Sequence, residues 1–162
     1  MESFKSLLLG ITLTGTLLAG CKEEKAAPAQ DYVVFGWYHN ECQGESCIEI
    51  FKIDTQSAQL YEDTQDKNPA GTTPYEGTYV IKSQAQYNQV QTLPQQLPAQ
   101  LLTQPSGLVI GSPDFADGGG YYVEVSTKGE RKFWLIDRQK GNLPTYLHAF
   151  ADELDAKITS LQ

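Results

Sequence analysis

Strand-like and helix-like patterns of apolar residues follow one another along the chain. Residues 31–38, 47–53 and 59–62 are rich in β-branched and aromatic side chains and are separated by turn residues, which predicts three strands joined as a meander. The first stretch is apolar on both faces, so we expect a central or helix-covered strand. After a loop rich in Asp, Asn, Pro and Gly, residues 75–81 are predicted to form a fourth strand.

A helical period begins at Ser83. Ser83 and Gln86 have the spacing of a capping box, in which each side chain accepts a hydrogen bond from the backbone N–H of the other residue. The apolar residues at helical spacing in this segment are Tyr87, Val90 and Leu93. We expect Pro94 to end the helix and residues 97–102 to add one or two further turns.

Residues 118–125 and 131–136 predict a β-hairpin. Lys128-Gly129 supplies its turn, because glycine readily adopts a positive φ. Along the first strand of the hairpin the side chains alternate, with Tyr121, Val123 and Val125 set against Tyr122, Glu124 and Ser126. This alternation predicts one buried face and one wetter face.

The C-terminal segment carries the longest helical stripe. Asn142 can cap this helix, and Pro144 falls in its first turn. The stripe consists of Leu143, Leu147, Phe150, Leu154, Ile158 and Leu161. The order of the elements predicts an α+β fold: an antiparallel sheet of about five to six strands with two helices packed on one face.

The N-terminal segment has the pattern of a secretory signal peptide. A basic residue precedes an apolar run over residues 7–18, which is shorter than the roughly 20 residues that span a bilayer. The run ends in the letters LAGC at residues 18–21, which resemble the lipobox of bacterial lipoproteins. The resemblance implies that Cys21 receives a lipid, that residues 1–20 are removed and that acyl chains hold the protein at a membrane. The alternatives are an ordinary secretory peptide cut near Ala19 and an uncleaved anchor.

Three charged residues, Lys22, Glu23 and Glu24, follow this cysteine directly. They resemble the surface-export signal of Bacteroidetes lipoproteins, which implies a lipid-anchored protein at the outer membrane of a Gram-negative bacterium, displayed on the cell surface. The alternative is a solvated spacer of charges. Residues 21–30 are then interpreted as a flexible tether, and residues 31–162 as a single α+β domain.

The composition fits a folded domain and excludes one class of partner. At 162 residues the chain is long enough for one domain, and its 40% hydrophobic and 10% aromatic residues argue against a disordered chain. The 20 acidic and 12 basic residues give a net charge of −8. Nucleic-acid binding needs clustered basic residues, so we exclude it, whereas a basic protein partner would be attracted.

Cys42 and Cys47 remain as a pair once Cys21 is assigned to the lipid. Outside the cytoplasm we expect them to form a disulfide. One alternative is a redox dithiol, but the spacing is not the C-x-x-C that lowers a thiol pKa. Another is a zinc site, which would need more ligands than these two cysteines and the nearby His39.

The segment SPDFADGGG, at residues 112–120, is the most unusual loop. Asp114 and Asp117 beside three glycines form a candidate cation or ligand site, since carboxylates and exposed carbonyls suit Ca²⁺. The alternative is that both carboxylates accept hydrogen bonds from nearby backbone N–H groups. The spacing of a calcium-binding loop is absent, and the sequence predicts no metal and no cofactor.

No catalytic motif is present in the sequence, so we expect a protein that is not an enzyme. His148 lies one helical turn before Asp152, with which we expect a surface pair. His39 ends the first predicted strand, but no motif joins it to a nucleophile. Aromatic residues on predicted strands could contact a protein or glycan partner; they are Trp37, Tyr38, Tyr121, Tyr122 and Trp134.

Beyond the lipobox, three segments resemble small Bacteroidetes lipoproteins that carry a domain of unknown function. They are ECQGESCIEIFKID, SPDFADGGGYYVEV and FWLIDRQKGNLPTYL, and the resemblance covers residues 31–161. It implies no activity and no catalytic residue. Our leading hypothesis is a membrane-anchored envelope lipoprotein that binds a protein or envelope component without catalysis. The alternatives are an inhibitor of a basic envelope-attacking enzyme such as lysozyme, and a hydrolase of cell-envelope glycans or peptides.

Overall fold

A seven-stranded β-sheet organises the chain. The computed structural model describes residues 29–42 and 45–162. Strands β1 to β7 are, in chain order, Tyr32–Tyr38, Ile48–Asp54, Gln59–Asp63, Tyr79–Ile81, Leu108–Ile110, Gly120–Thr127 and Glu130–Asp137. Across the sheet their order is β4-β3-β2-β1-β6-β7-β5. All neighbours are antiparallel except β5 and β7, which run parallel. The central position predicted for the first strand is confirmed.

Within the described residues, four α-helices cover one face of this sheet. Helices α1 to α4 are Gln84–Val90, Leu93–Gln96, Ala99–Leu102 and His148–Leu161. Their apolar side chains form one buried cluster with alternate residues of the strands, among them Phe35, Val123 and Trp134. We call this helix-covered side of the sheet the inner face. The predicted α+β fold, with helices packed on one face of a largely antiparallel sheet, is confirmed.

The start of α1 follows the prediction, and the segment after it does not. The Ser83 hydroxyl accepts from the Gln86 backbone N–H at 3.3 Å, and the Gln86 side chain accepts from the Ser83 N–H, so the capping box is present. Helix α1 already ends at Val90, and Pro94 lies in the first turn of α2. Proline is tolerated there because the first N–H groups of a helix have no partner within it.

Helix α4 begins later than its apolar stripe predicts. The stripe is buried throughout, but the helix starts at His148 after two short 3₁₀ turns at residues 140–142 and 145–147. Asn142 does not cap it, because the Asn142 side-chain amide donates instead to Asp137 at 2.8 Å. A local hydrogen bond therefore competes with the predicted cap.

The side of the sheet opposite the helices is called the outer face. An irregular segment at residues 64–78 covers part of this face, and we call this segment the strap. Its Tyr75 is buried, and its backbone N–H donates to the Tyr122 hydroxyl at 2.8 Å. The buried apolar cluster of this face consists of Val34, Tyr38, Cys47, Ile48, Ile50, Tyr75, Tyr122, Phe133 and Leu135. The sheet is therefore buried on both sides, which accounts for the apolar character of both faces of β1.

The strap overturns the prediction of a wetter face for β6. Tyr122, Glu124 and Ser126 are 0%, 0% and 2% exposed, as buried as the inner-face residues with which they alternate. The predicted fourth strand is shortened to Tyr79–Ile81 because the residues before it belong to the strap.

Two further features of the sheet are the strand β5 and the turn between β6 and β7. The three-residue strand β5 was not predicted and takes the count to seven. The predicted turn between β6 and β7 is confirmed: Lys128 and Gly129 have φ values of 53° and 80°, the pair of positive values that a tight hairpin turn requires.

Candidate functional site

Several residues singled out in the sequence meet at one end of the sheet. We call this end the loop edge; it consists of residues 39–42, 112–119 and 138–142. Asp114 joins two of these segments, because its carboxylate accepts from the Asn40 backbone N–H at 3.0 Å and from the Gly119 N–H at 3.1 Å. The Asp114 N–H in turn donates to the Gly119 carbonyl at 2.8 Å. The carboxylate therefore bonds nearby backbone, the alternative to cation binding considered above.

His39 connects the third segment to the other two. Its ring lies against Gly119, where an added Cβ would come within 2.4 Å of the ring carbon Cε1, and Gly119 also has a φ of +71°. The φ value favours glycine at this position, and an added Cβ would force the His39 ring to move. His39 Nε2 lies 3.0 Å from Nη1 of Arg138. A guanidinium only donates, so in this contact Nε2 is the acceptor.

Arg138 is the centre of a compact polar and aromatic group. Its Nη2 donates to Asp155 Oδ1 at 2.8 Å, and the Tyr121 hydroxyl donates to the same oxygen at 2.9 Å. The guanidinium carbon lies 4.8 Å from the Trp37 ring centroid and 5.5 Å from that of Tyr121. Burial and then the bond to Asp155 raise the pKa of Tyr121 to about 12, so its phenol remains a donor.

A polar cleft of about 430 Å³ opens beside this group, between the end of β7 and helix α4. Tyr121, Arg138 and Asp155 line it together with Lys140 and Asp152. The charged groups in it are paired, Arg138 with Asp155 and Lys140 with Asp152. Among the residues that the structure describes, the His39 ring hydrogen-bonds to Arg138 and to no hydroxyl or carboxylate. The charges that line the cleft are therefore satisfied within the protein.

The Asp137 carboxylate, at the end of β7, hydrogen-bonds to two of the segments that form the loop edge. It is 2% exposed and accepts from the backbone N–H groups of Ser112 and Gln139 at 2.8 and 2.7 Å, and from the Asn142 amide at 2.8 Å. Burial alone would raise its pKa, but the three hydrogen bonds outweigh burial and lower the pKa below its ordinary value. One buried carboxylate thus ties the loops after β5 and β7 together.

Phe115 stands at the tip of the loop edge. It is 74% exposed, the most exposed large apolar side chain among the described residues. It is flanked by Asp114, Ala116 and Asp117, whose φ values are 61°, 50° and 60°. Such left-handed conformations are unfavourable for residues with a Cβ. Asp117 is exposed in this turn. Within the described part of the chain, no three histidine, cysteine or acidic residues are grouped closely enough to hold a metal ion.

A disulfide closes the segment next to the loop edge. Cys42 and Cys47 are bonded with their Cα atoms 5.5 Å apart, which confirms the predicted pair. Cys47 is buried where a 3₁₀ turn leads into β2, while Cys42 is exposed. The covalent bond limits the movement of the chain that follows Asn40.

The remaining predicted residues lie elsewhere. His148 makes no pair with Asp152: its Nε2 contacts the Leu143 carbonyl at 3.1 Å, while Asp152 pairs with Lys140. Of the strand aromatics, Trp37, Tyr121 and Trp134 are on the inner face, and Tyr38 and Tyr122 are on the outer face; all are buried.

The predicted lipidation and export residues lie outside the described residues. These are Cys21, Lys22, Glu23 and Glu24. Within the described part of the chain, no helix combines the length and the apolar character needed to cross a membrane.

Three residues of this site were not predicted from the sequence: Arg138, Asp155 and Phe115. Arg138 and Asp155 carry no local signal, because their pairing depends on how α4 crosses the sheet. Phe115 is apolar in a loop of acidic and glycine residues, a contrast that could have marked it. Comparisons of this chain with protein-family models, with curated proteins and with solved structures find no match.

Proposed function

We propose that this protein is a lipid-anchored, non-catalytic binding protein of the bacterial envelope, and that it contacts a protein partner through the loop edge. The observation that carries the proposal is the exposed Phe115 on a turn of left-handed residues. The left-handed conformation costs about 1 kcal/mol at Ala116 and less at the two aspartates, and the exposed ring contributes little to the protein's own core. Contact with another molecule would bury the exposed ring and so account for this arrangement.

The charges around Phe115 favour a basic partner. Asp114 and Asp117 flank the apolar Phe115, and the exposed Glu41 belongs to the neighbouring segment 39–42, which Asp114 joins through the Asn40 N–H. An apolar centre with acidic neighbours resembles the apolar core and polar rim of an interface. Residues 31–162 contain 17 acidic and 9 basic residues and so carry the whole net charge of −8. Complementary charge accelerates association with a basic surface.

The direction of β1 supports display away from a membrane. Asp31 precedes β1, and its backbone N–H donates to Ser126, at the end of the sheet far from His39. Seven residues of extended strand separate these ends by roughly 20 Å. A tether that reaches the domain at Asp31 would leave the loop edge pointing outward from the lipid anchor.

Site-specific crosslinking tests the contact. A photoreactive phenylalanine analogue at position 115 in the full-length protein, expressed in its own cells, should give a discrete crosslinked protein. An excess of wild-type protein, added as a competitor, should suppress the crosslinked product, and so should 0.5 M salt. The same excess of the Phe115→Ser protein should not suppress it. The matched control is the same analogue at position 81, because Ile81 is an exposed apolar residue, 60% exposed, on the far edge strand β4. Equal crosslinking from both positions, or none from 115, would contradict the proposal.

An inhibitor of a basic envelope-attacking enzyme is the specific form of this function that the acidic rim favours. The purified domain should slow cell-wall lysis by a c-type lysozyme at low ionic strength and lose the effect at high salt. Replacing Asp114 and Asp117 by asparagine should weaken inhibition about tenfold. Absence of inhibition at low salt excludes lysozyme as the target and leaves the crosslinking result to decide the broader proposal.

The anchor has its own test. Cells grown with an alkyne-labelled fatty acid should label the wild-type protein and not a Cys21→Ala variant. Protease added to intact cells should cleave the wild type, and alanine replacement of residues 22–24 should protect it. Labelling of the Cys21→Ala protein would contradict lipid attachment at this residue.

A further inference from the structure

A second cavity, of about 250 Å³, lies on the outer face of the sheet. Its floor comes from strands β1, β2, β6 and β7, and its walls from β4 and the end of the strap. The lining residues are Tyr32, Val34, Lys52, Tyr75, Glu76, Gly77, Tyr79, Glu124 and Arg131. It lies near the end of β1 that begins at Tyr32, away from the loop edge, and the function proposed above makes no use of it.

Most of the charge in this cavity is already neutralised within the protein. The Glu124 carboxylate is fully buried and accepts from Arg131 Nε at 2.6 Å, from Arg131 Nη2 at 3.2 Å, from Tyr122 at 2.5 Å and from Tyr32 at 3.1 Å. Arg131 also donates to the Tyr75 carbonyl at 2.8 Å and to Glu76 at 2.5 Å. Glu124 and Arg131 therefore form a fixed part of the wall whose hydrogen bonds are already used.

Lys52 differs from these two residues. Its ammonium nitrogen lies 4.6 Å from the Tyr79 ring centroid, 5.0 Å from that of Tyr61 and 5.7 Å from that of Tyr32. Within the described ranges 29–42 and 45–162, no carboxylate oxygen lies within 4.0 Å of it, and it donates no hydrogen bond to the protein. The three rings stabilise the positive charge without supplying an acceptor.

Tyr79, which lines the same cavity, carries a second unused donor, its hydroxyl. Its oxygen is buried and has no hydrogen-bond partner among the described residues. Burial, and next the charge of Glu124, raise the pKa of Tyr79, so the hydroxyl keeps its proton at physiological pH. A buried hydroxyl without a partner is unfavourable, and an acceptor that enters the cavity would remove that cost.

We propose that this cavity binds a small organic monocarboxylate, with the Lys52 ammonium and the Tyr79 hydroxyl as its donors. The class of ligand follows from the charges: Lys52 is the one lining cation without a carboxylate partner in the described chain, and Glu76, with 81% of its side chain exposed, is screened by water. A ligand with a single negative charge would balance the unpaired charge of Lys52, and the cavity volume limits the ligand to about the size of one ring.

Paired probes that differ in their carboxylate test the proposal. Calorimetric titration of the wild-type protein with D-glucuronate against D-glucose, and with benzoate against benzyl alcohol, separates a sugar acid from an aromatic acid. We expect at least one carboxylate to bind and its neutral counterpart to bind at least tenfold more weakly. Lys52→Met should reduce the affinity at least tenfold, and Tyr79→Phe, which removes one oxygen atom, by about tenfold. Lys132→Met, on the inner-face side of β7, is the control and should change nothing.

Circular dichroism before each titration shows whether a variant is folded. If Lys52→Met does not fold, Tyr79→Phe still tests the site, because it retains the aromatic ring. The proposal is overturned if neither carboxylate binds the wild type, if the acids and their neutral counterparts bind alike, or if Tyr79→Phe binds as tightly as the wild type. None of these results bears on crosslinking at position 115.

Discussion

The two faces of the sheet are buried by different means, and the difference explains where the buried polar residues lie. Helices satisfy most of their own backbone hydrogen bonds, so α1 to α4 can rest on an apolar surface. The strap is irregular and cannot do so. The sheet beneath it supplies the partners: Tyr122 accepts from the Tyr75 N–H, Arg131 donates to the Tyr75 carbonyl, and Asp63 accepts from the Thr78 N–H. Buried polar groups on the outer face are thus a consequence of covering it with a loop.

The same truncation on the two faces should have unequal effects. Leu154→Ala removes a fully buried side chain from α4 and should cost about 4 kcal/mol, because the sheet and helices cannot collapse into the gap. Leu135→Ala on the outer face should cost about 2 kcal/mol, since the strap can settle. Urea unfolding followed by circular dichroism measures both. Equal losses would show that the strap is packed as rigidly as the helices.

Breaking the buried charge pair should cost nearly as much as the core truncation. Glu124→Gln leaves Arg131 without its buried partner, and we expect a loss of about 3 kcal/mol in the free energy of unfolding. Adding Arg131→Met should cost less than the sum of the single changes, because no uncompensated charge remains. The control is Lys82→Met, which removes the partly exposed pair with Glu62 and should cost less than about 1 kcal/mol. Strict additivity would argue against coupling.

Loosening the strap should be visible without unfolding the protein. The Asp63 carboxylate accepts from the Tyr75 hydroxyl at 2.6 Å and from the Thr78 N–H at 2.5 Å. Asp63→Asn should cost about 2 kcal/mol and speed amide hydrogen exchange in the strap while leaving α4 protected. Asp54→Asn changes a similar carboxylate in the exposed β2–β3 turn and serves as the control. If exchange accelerates equally in α4, the strap and the helices form one cooperative unit.

Alkaline titration should show the smallest effect, and a similar one for Tyr121 on the inner face and Tyr38 on the outer face. Burial, as the main cause, raises the pKa of Tyr121 on the inner face and of Tyr38 on the outer face to about 12. Unfolded tyrosines titrate near about 10. Since the folded pKa is raised, the stabilisation is complete below the unfolded value and is lost as pH rises from about 10 through 12. Phenolate absorbance should show these two late steps, and Tyr121→Phe should remove one. Titration of all nine tyrosines together near pH 10 in the folded protein would refute this.

The inner face could be predicted from sequence because regular elements leave periodic patterns. The stripe from Leu143 to Leu161 and the alternation of Tyr121, Val123 and Val125 indicate buried surfaces directly. The strap has no period, so nothing in its composition shows that it lies on a sheet. Without it Glu124 is expected to face water, which is why that side of β6 was predicted wrongly.

The candidate site was only partly predictable for the same reason. Asp114 and His39 stand out as unusual residues in loops, and the structure brings their segments together. The positive φ values around Phe115 and the contact of Arg138 with His39 depend on tertiary structure. Lys52 interrupts an apolar strand visibly, but its ring of tyrosines depends on the registers of three strand pairs.

The two edge strands of the sheet are β4 and β5, and each is three residues long. Both expose apolar side chains, with Val80, Ile81 and Val109 between 45% and 60% accessible. On a long edge strand such residues would provide a template for pairing with another molecule, and crowded copies would grow into fibres. Three residues offer too few ladder hydrogen bonds for that growth. The short edge strands therefore disfavour edge-to-edge pairing between neighbouring molecules, even where copies are crowded at high density.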